Sequence, residues 1–220
     1  MLTDTRSICE DAADHAAPAD ALPLPFAQRR SIRRYLDVPI ARPVLDALID
    51  AAISAPSAHN RQPWRFAVVV ERDAKRRVAL AMGERLRADR RRDGDGDADA
   101  AIDADVARSH ARITGAAALV IVCVTMADMD VYPDDTRNRA EYLMAVQSTA
   151  MAGQNLLLAA SAAGLGACWL CAPMFCPDTV CGTLGLPRDW QPQGMITLGY
   201  PANTGKPFTR RAAQEVSRFF

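Results

Sequence analysis

Apolar positions along the chain switch repeatedly between a helical and a strand-like rhythm. After Pro43, the residues Val44, Leu45, Leu48, Ile49 and Ala52 fall on one face of a helix. Its first turn holds a proline where no backbone donor is required. Trp64 to Glu71, centred on Val68, Val69 and Val70, reads as a β-strand. The stretch 117–126 is apolar throughout, as in a strand covered on both faces. Further strands are expected at 167–170 and 194–200, and helices at 21–30, 73–92, 102–112, 137–163 and 176–184, with an extended segment from Ser31 to Leu36. Gly164 and Gly166 stop the longest helix by tolerating positive φ. Four or five strands among helices, with no repeat and no linker, predict one α+β domain over 21–220. A flexible polar tail is expected over 1–20.

Composition narrows the classes. The 220 residues suffice for one sizeable core. Twenty-six basic side chains balance 26 acidic ones, so no overall field favours nucleic acid or an anionic membrane. Asp4, Glu10, Asp11 and Asp14 interrupt the N-terminus, which lacks the apolar core of a secretory signal, and a cytoplasmic location is expected. The apolar run 116–126 is too short to span a bilayer, and 143–163 is interrupted by Gln147, Ser148, Gln154 and Asn155. That second run predicts a helix buried on nearly all sides, which needs more cover than one small domain supplies and so implies a homodimer. Cys168, Cys171, Cys176 and Cys181 lack the paired spacing of a zinc site and are read as small core residues. The Asp/Gly stretch 93–99 begins like a calcium loop but has no closing glutamate, so it is read as a mobile loop.

Four segments carry candidate chemistry. Arg29, Arg30, Ser31 and Arg33 offer charged and neutral donors that suit a phosphate, although such a run also suits a solvated surface or a kinase site. Pro56-Ser-Ala-His-Asn-Arg-Gln-Pro-Trp64 displays Asn60 and Gln62, whose amides match the alternating donors and acceptors of an isoalloxazine edge; the plainer reading is a capped turn. Gly164-Leu-Gly-Ala-Cys-Trp-Leu-Cys-Ala-Pro173 combines small residues that let a flat ring approach the backbone with Trp169 to cover it. Lys206 and Arg210, with Arg211, follow a strand in a Gly/Pro-bent segment able to close over a phosphate. His15, His59 and His110 lie in dissimilar contexts, and no Ser/His/Asp set is evident.

Taken in order, an arginine–serine segment, PSxxNxQPW, GLGxxW and GYP with a basic tail resemble the nitroreductase family from about Phe26 to the C-terminus. The resemblance implies a nitroreductase-like fold with a mostly antiparallel central sheet flanked by helices. It also implies an intertwined homodimer and FMN as cofactor. By position, Arg29, Arg30, Ser31, Arg33, Lys206 and Arg210 would hold the FMN phosphate and ribityl chain. Pro56, Ser57, Asn60 and Gln62 would reach the flavin from the partner subunit. Backbone of Trp169, Leu170, Cys171 and Ala172 would face the ring near its reactive nitrogen. The spacing from Lys206 to Arg210 is longer than the lysine-x-arginine of bacterial nitroreductases. A narrower likeness, carried by Ala111-Arg-Ile-Thr-Gly115, Met126-Ala-Asp-Met-Asp-Val-Tyr-Pro-Asp134 and Trp169-Leu-Cys-Ala-Pro-Met-Phe175, is to the reductase domain of the bifunctional F420:γ-glutamyl ligase. It implies hydride transfer to a dehydro precursor of that deazaflavin coenzyme, with the arginine-rich 85–92 helix and the Asp/Gly loop bordering the substrate. The alternatives are a generalist NAD(P)H-dependent nitro- or quinone reductase, a non-redox flavin or deazaflavin binder, and a flavin-fragmenting enzyme. The flavin does the chemistry, so no catalytic side chain is assigned.

Overall fold

A computed structural model of the chain describes residue 26, residues 28–94 and residues 99–220. Along it run α1 (Arg42–Ile53), β1 (Trp64–Val69), α2 (Arg72–Arg92), α3 (Asp99–Thr114), β2 (Ala118–Val124), α4 (Asp135–Ala162), β3 (Gly166–Leu170), α5 (Pro177–Leu184), β4 (Gln191–Gly199) and α6 (Ala213–Val216). Short 3-10 turns occupy Ala58–Asn60 and Ala172–Phe175. The expected N-terminal tail and residues 95–98 of the Asp/Gly loop lie outside the described residues.

The four strands form one antiparallel sheet in the order β1-β2-β4-β3. β2 is central and no residue of it is more than 1% exposed, which explains its unbroken apolar run. Alternate residues serve opposite layers. Ala118, Val120 and Val122 join Leu45, Leu48 and Ala52 of α1 and Leu156, Leu157 and Ala160 of α4. Leu119, Ile121 and Cys123 join Ala74, Val78 and Met82 of α2 and Val180 of α5. Each fully buried Val, Leu or Ile contributes roughly 1.5–3 kcal/mol, so the two layers on β2 dominate the fold's apolar stabilisation.

Three departures from the sequence pattern have local causes. β4 begins at Gln191, ahead of the expected 194, because the ladder with β2 continues past an irregularity at Val122/Cys123 and pairs Pro192 with Cys123 and Gln191 with Val124. The helix expected over 21–30 does not include Arg29 or Arg30: the Ile32 N–H donates to the Ala167 carbonyl (3.0 Å) and Ser31 bridges the same residue, which demands extended chain. α4 is not buried on all sides. Leu143, Gln147, Ala150, Met151 and Gln154 form an exposed stripe, while Ala145, Thr149, Ala152 and Leu156 face inward. No helix among the described residues is long and apolar enough to cross a membrane. Of the clustered cysteines, Cys168 and Cys176 are buried and Cys181 is partly so, whereas Cys171 is exposed and departs from the core reading. Burial pushes the Cys168, Cys176 and Cys181 thiols up.

Candidate functional site

The site is organised by the extended segment that enters the fold beside β3. After Ile32 is anchored on Ala167, the Leu36 N–H donates to the Tyr200 carbonyl (2.9 Å) and the Ala202 N–H donates to the Arg34 carbonyl (3.1 Å). Two glycines make room for it. A Cβ on Gly166 would sit 2.7 Å from Ile32 Cγ2, and one on Gly199 would sit 2.7 Å from the Tyr35 ring. The second glycine of the GLG motif and the glycine of GYP therefore accommodate this segment. Tyr35 then locks the register, its hydroxyl 2.6 Å from the Ile32 carbonyl and 2.7 Å from Thr197 Oγ1. Burial holds its phenol above the ordinary range.

This geometry delivers Arg29, Arg30, Ser31 and Arg33 to a cleft of about 180 Å³ that is completed by Lys206, Pro207, Phe208 and Arg210. All six residues expected around a phosphate are thus brought together from the two ends of the domain. Phe208 fastens the tail: the Arg30 and Arg210 guanidinium carbons each lie 4.0 Å from its ring centroid. Gly205, at φ +80°, makes the bend that brings Lys206 back. Next to the cleft, and sharing Ser31, Arg33 and Lys206 with it, is an open groove of about 930 Å³. Arg34, Tyr35, Asn203 and, from α3, Arg108 and Arg112 complete its polar lining, and no carboxylate is among the lining residues. Arg108 is paired with Asp105, but Arg33, Arg34, Arg112 and Lys206 have no carboxylate partner among the described residues. The sequence reading missed Arg108 and Arg112. Their i, i+4 spacing marked one helix face, but nothing local showed what that face meets.

The loop from Pro56 to Gln62 is built separately. The Gln62 N–H donates to Ser57 Oγ (3.0 Å), and the Ala58 N–H donates to Ser148 Oγ on α4 (3.3 Å). His59, Asn60 and Gln62 all adopt positive φ, near +50°, which non-glycine residues rarely do. Gln62 Nε2 donates to Asn60 Oδ1 (3.3 Å), and both residues are exposed. Arg61 pairs with Asp130 (2.6 Å) at the loop's flank. None of Pro56, Ser57, Asn60 and Gln62 lines the basic cleft or groove of its own chain.

At the end of β3 the Trp169 indole occupies a slot between α4 and β4. A Cβ on Gly153 or Gly194 would lie 2.5 or 2.4 Å from its atoms. The side chain therefore packs against the backbone of both elements. Leu170 packs on the opposite layer, while Cys171 and Ala172 are exposed at the start of the 3-10 turn. The arginine-rich part of α2 is charge-compensated: Arg85 and Arg92 pair with Asp89, and Arg87 pairs with Asp103 of α3.

Residues 26–200 match the profile of the nitroreductase family. A Methanothermobacter thermautotrophicus protein named for NADH dehydrogenase or NAD(P)H nitroreductase is 30% identical over 186 residues, covering 83% of this chain and 77% of that protein. An NADH dehydrogenase of Thermus thermophilus is 28% identical over 215 residues, 86% of this chain and 91% of its own. Among solved structures, a nitroreductase of Desulfovibrio desulfuricans in complex with FMN superposes with a TM-score of 0.67 at 27% identity, over 89% of this chain and 95% of that one. A BluB-like flavoprotein of Clostridium difficile shares the fold at a TM-score of 0.73 and 22% identity, over 91% and 100% of the two chains.

Proposed function

The chain belongs to the nitroreductase family and is an FMN-dependent oxidoreductase, and we propose that it binds FMN across the cleft and groove around Ser31 and works as a homodimer. In this reading Arg29, Arg30, Ser31, Arg33, Lys206 and Arg210 hold the phosphate and ribityl chain. Arg112, across the groove, supplies a cation for the electron-rich edge of the ring, where it lowers the cost of negative charge. When bound, FMN supplies two-electron transfer from NAD(P)H to a small activated acceptor. The protein orients the reactants and shields the site. The observation that carries the reading is the meeting of residues 29–33 and 206–210 in one basic cleft whose lining contains no acid.

The homodimer reading is supported by the Pro56–Gln62 loop and the uncovered stripe of α4. The loop is docked on α4 through Ser148, and it displays the paired amides of Asn60 and Gln62 outward. A second copy covering Leu143 and Met151 would receive those amides at its own groove. Backbone at Cys171 and Ala172 would face the ring. The absorption spectrum of the purified protein, with identification of the cofactor it releases, tests the reading; a colourless protein that takes up no FMN overturns it.

The narrower reading, in which the acceptor is a dehydro precursor of coenzyme F420, rests on the sequence likeness around Met126–Asp134 and Trp169–Phe175. The pairing of Arg85, Arg87 and Arg92 removes one of its expected supports. Turnover of that precursor by FMN-loaded protein would establish it. Turnover of quinones or nitroarenes with NAD(P)H, and none of the precursor, would establish the generalist.

A further inference from the structure

Helix α3 carries Arg108 and Arg112 to the basic groove, and α2 holds it at three levels. Near the start of α3, Asp103 pairs with Arg87 across 2.8 Å. Midway, Gly83 lets the helices close, since a Cβ there would lie 2.8 Å from Val106 Cγ1. At the groove end the contact is polar and buried. Lys75, in the first turn of α2 and only 5% exposed, donates from Nζ to the carbonyls of Ala116 (2.5 Å) and Ala117 (3.1 Å). Those residues directly follow Gly115, which lines the groove and whose N–H donates to the Ala111 carbonyl (3.0 Å). An ammonium just past a helix C-terminus satisfies carbonyls there and meets the negative end of the helix dipole. The residue type is informative as well. Of the 26 basic side chains, every one is arginine except Lys75 and Lys206. A compact ammonium directs several donors at adjacent carbonyls, whereas the flat guanidinium fork is shaped for carboxylates and phosphates.

We propose that Lys75 is a positioning residue: it ties the end of α3 to α2 and so holds the Arg112 guanidinium at the edge of the flavin ring. The proposal rests on the FMN reading above. Arg112 has no carboxylate partner among the described residues, so the helix end that carries it sets its place. Lys75 lines neither the cleft nor the groove and acts only through α3. A cation at the ring edge is worth more once the ring carries negative charge. Arg112 held there therefore favours reduced over oxidised FMN, whereas a merely well-packed α3 favours both alike.

The test is anaerobic titration of apoprotein with oxidised and with dithionite-reduced FMN, read as the ratio of the two Kd values. Arg112→Ala should cut the preference for reduced FMN about tenfold or more, the scale of one charge-assisted hydrogen bond. Lys75→Met keeps the length of the side chain and removes its donors, and should cut the preference about threefold to tenfold. In the Arg112→Ala background the same change should leave the ratio within about twofold, since both act through one guanidinium. Lys75→Gln retains one amide donor group and decides the matter if the methionine variant does not fold; it should show a smaller loss of the same kind. A ratio unchanged by the Lys75 substitutions, even with both affinities weakened, overturns the positioning role and leaves the FMN reading intact. So does an effect of Lys75→Met that persists undiminished without Arg112. A ratio untouched by Arg112→Ala removes Arg112 from the ring edge and the proposal with it, and a wild-type protein unable to bind FMN overturns both readings together.

Discussion

Two groups of arginines in this chain have opposite fates. On α2, Arg85, Arg87 and Arg92 each meet an aspartate from α2 or α3. Around Ser31, Arg33, Arg34, Arg112 and Lys206 meet none among the described residues, and the groove they line contains no acid. Both groups look alike as sequence. The difference is one of partners: a compensated cluster stabilises the surface weakly, whereas an uncompensated one concentrates positive potential where an anion gains most. In a chain with 26 charges of each sign, such segregation supports the proposed ligand site more than arginine density does.

The contrast is broken most directly by reversing one charge in the cleft. Arg29→Glu removes a charge-assisted donor and adds repulsion, so the Kd for FMN should rise by about a hundredfold or more. Fluorescence titration of apoprotein checks it, and an unchanged Kd would remove the cleft from the phosphate site. Next in size is a change that leaves the cleft alone. Leu143→Asp with Met151→Asp on the exposed stripe of α4 should convert the proposed dimer to monomer in sedimentation and weaken FMN by about tenfold, since in that reading the amides of Asn60 and Gln62 would no longer be supplied in trans. A dimer that survives both charges, or a monomer with undiminished affinity, breaks the two-subunit site.

What the sequence revealed divides along the same line between local and long-range. Helix α1, strands β1 and β2, and the end of α4 at Gly164 follow from period and punctuation, because those signals act within a few residues. The pocketing of Trp169 by Gly153 and Gly194 does not, because nothing near Trp169 names the glycines that will face it. Arg112 escaped for the same reason. Its partner surface is the 29–36 segment, whose path is set by bonds to Ala167 and Tyr200. The residues proposed to hold the phosphate were singled out through the order of their motifs, and the fold brings them to one cleft; their chemistry alone also suited a solvated surface.

Phe208 tests whether the cleft cations need holding in place. Arg30 and Arg210 both stack on its ring, and Phe208→Leu removes the stacking while keeping an apolar residue. The cation–π contribution is about 0.5–2 kcal/mol, so FMN should dissociate several-fold to about tenfold faster. Phe208→Tyr should restore the wild-type rate, and a leucine variant with wild-type dissociation would show the sandwich to be incidental.

The smallest effect is expected on α2, and its smallness is informative. Arg87→Ala breaks the ion pair with Asp103, whose side chains are 36% and 63% exposed. Pairs of that kind contribute about 0.2–1 kcal/mol in water. In a domain of this size the variant should therefore melt within about 1–4 °C of wild type. Its FMN affinity should not change, since the pair lies outside the groove. The two arginine groups should also part in their response to salt. Raising ionic strength screens the exposed pair and brings the melting temperatures of variant and wild type together, whereas FMN affinity falls in both proteins alike. If Arg87→Ala instead weakened FMN as Arg29→Glu does, the division between paired and unpaired arginines would lose its meaning. The anion site would then have to extend onto α2.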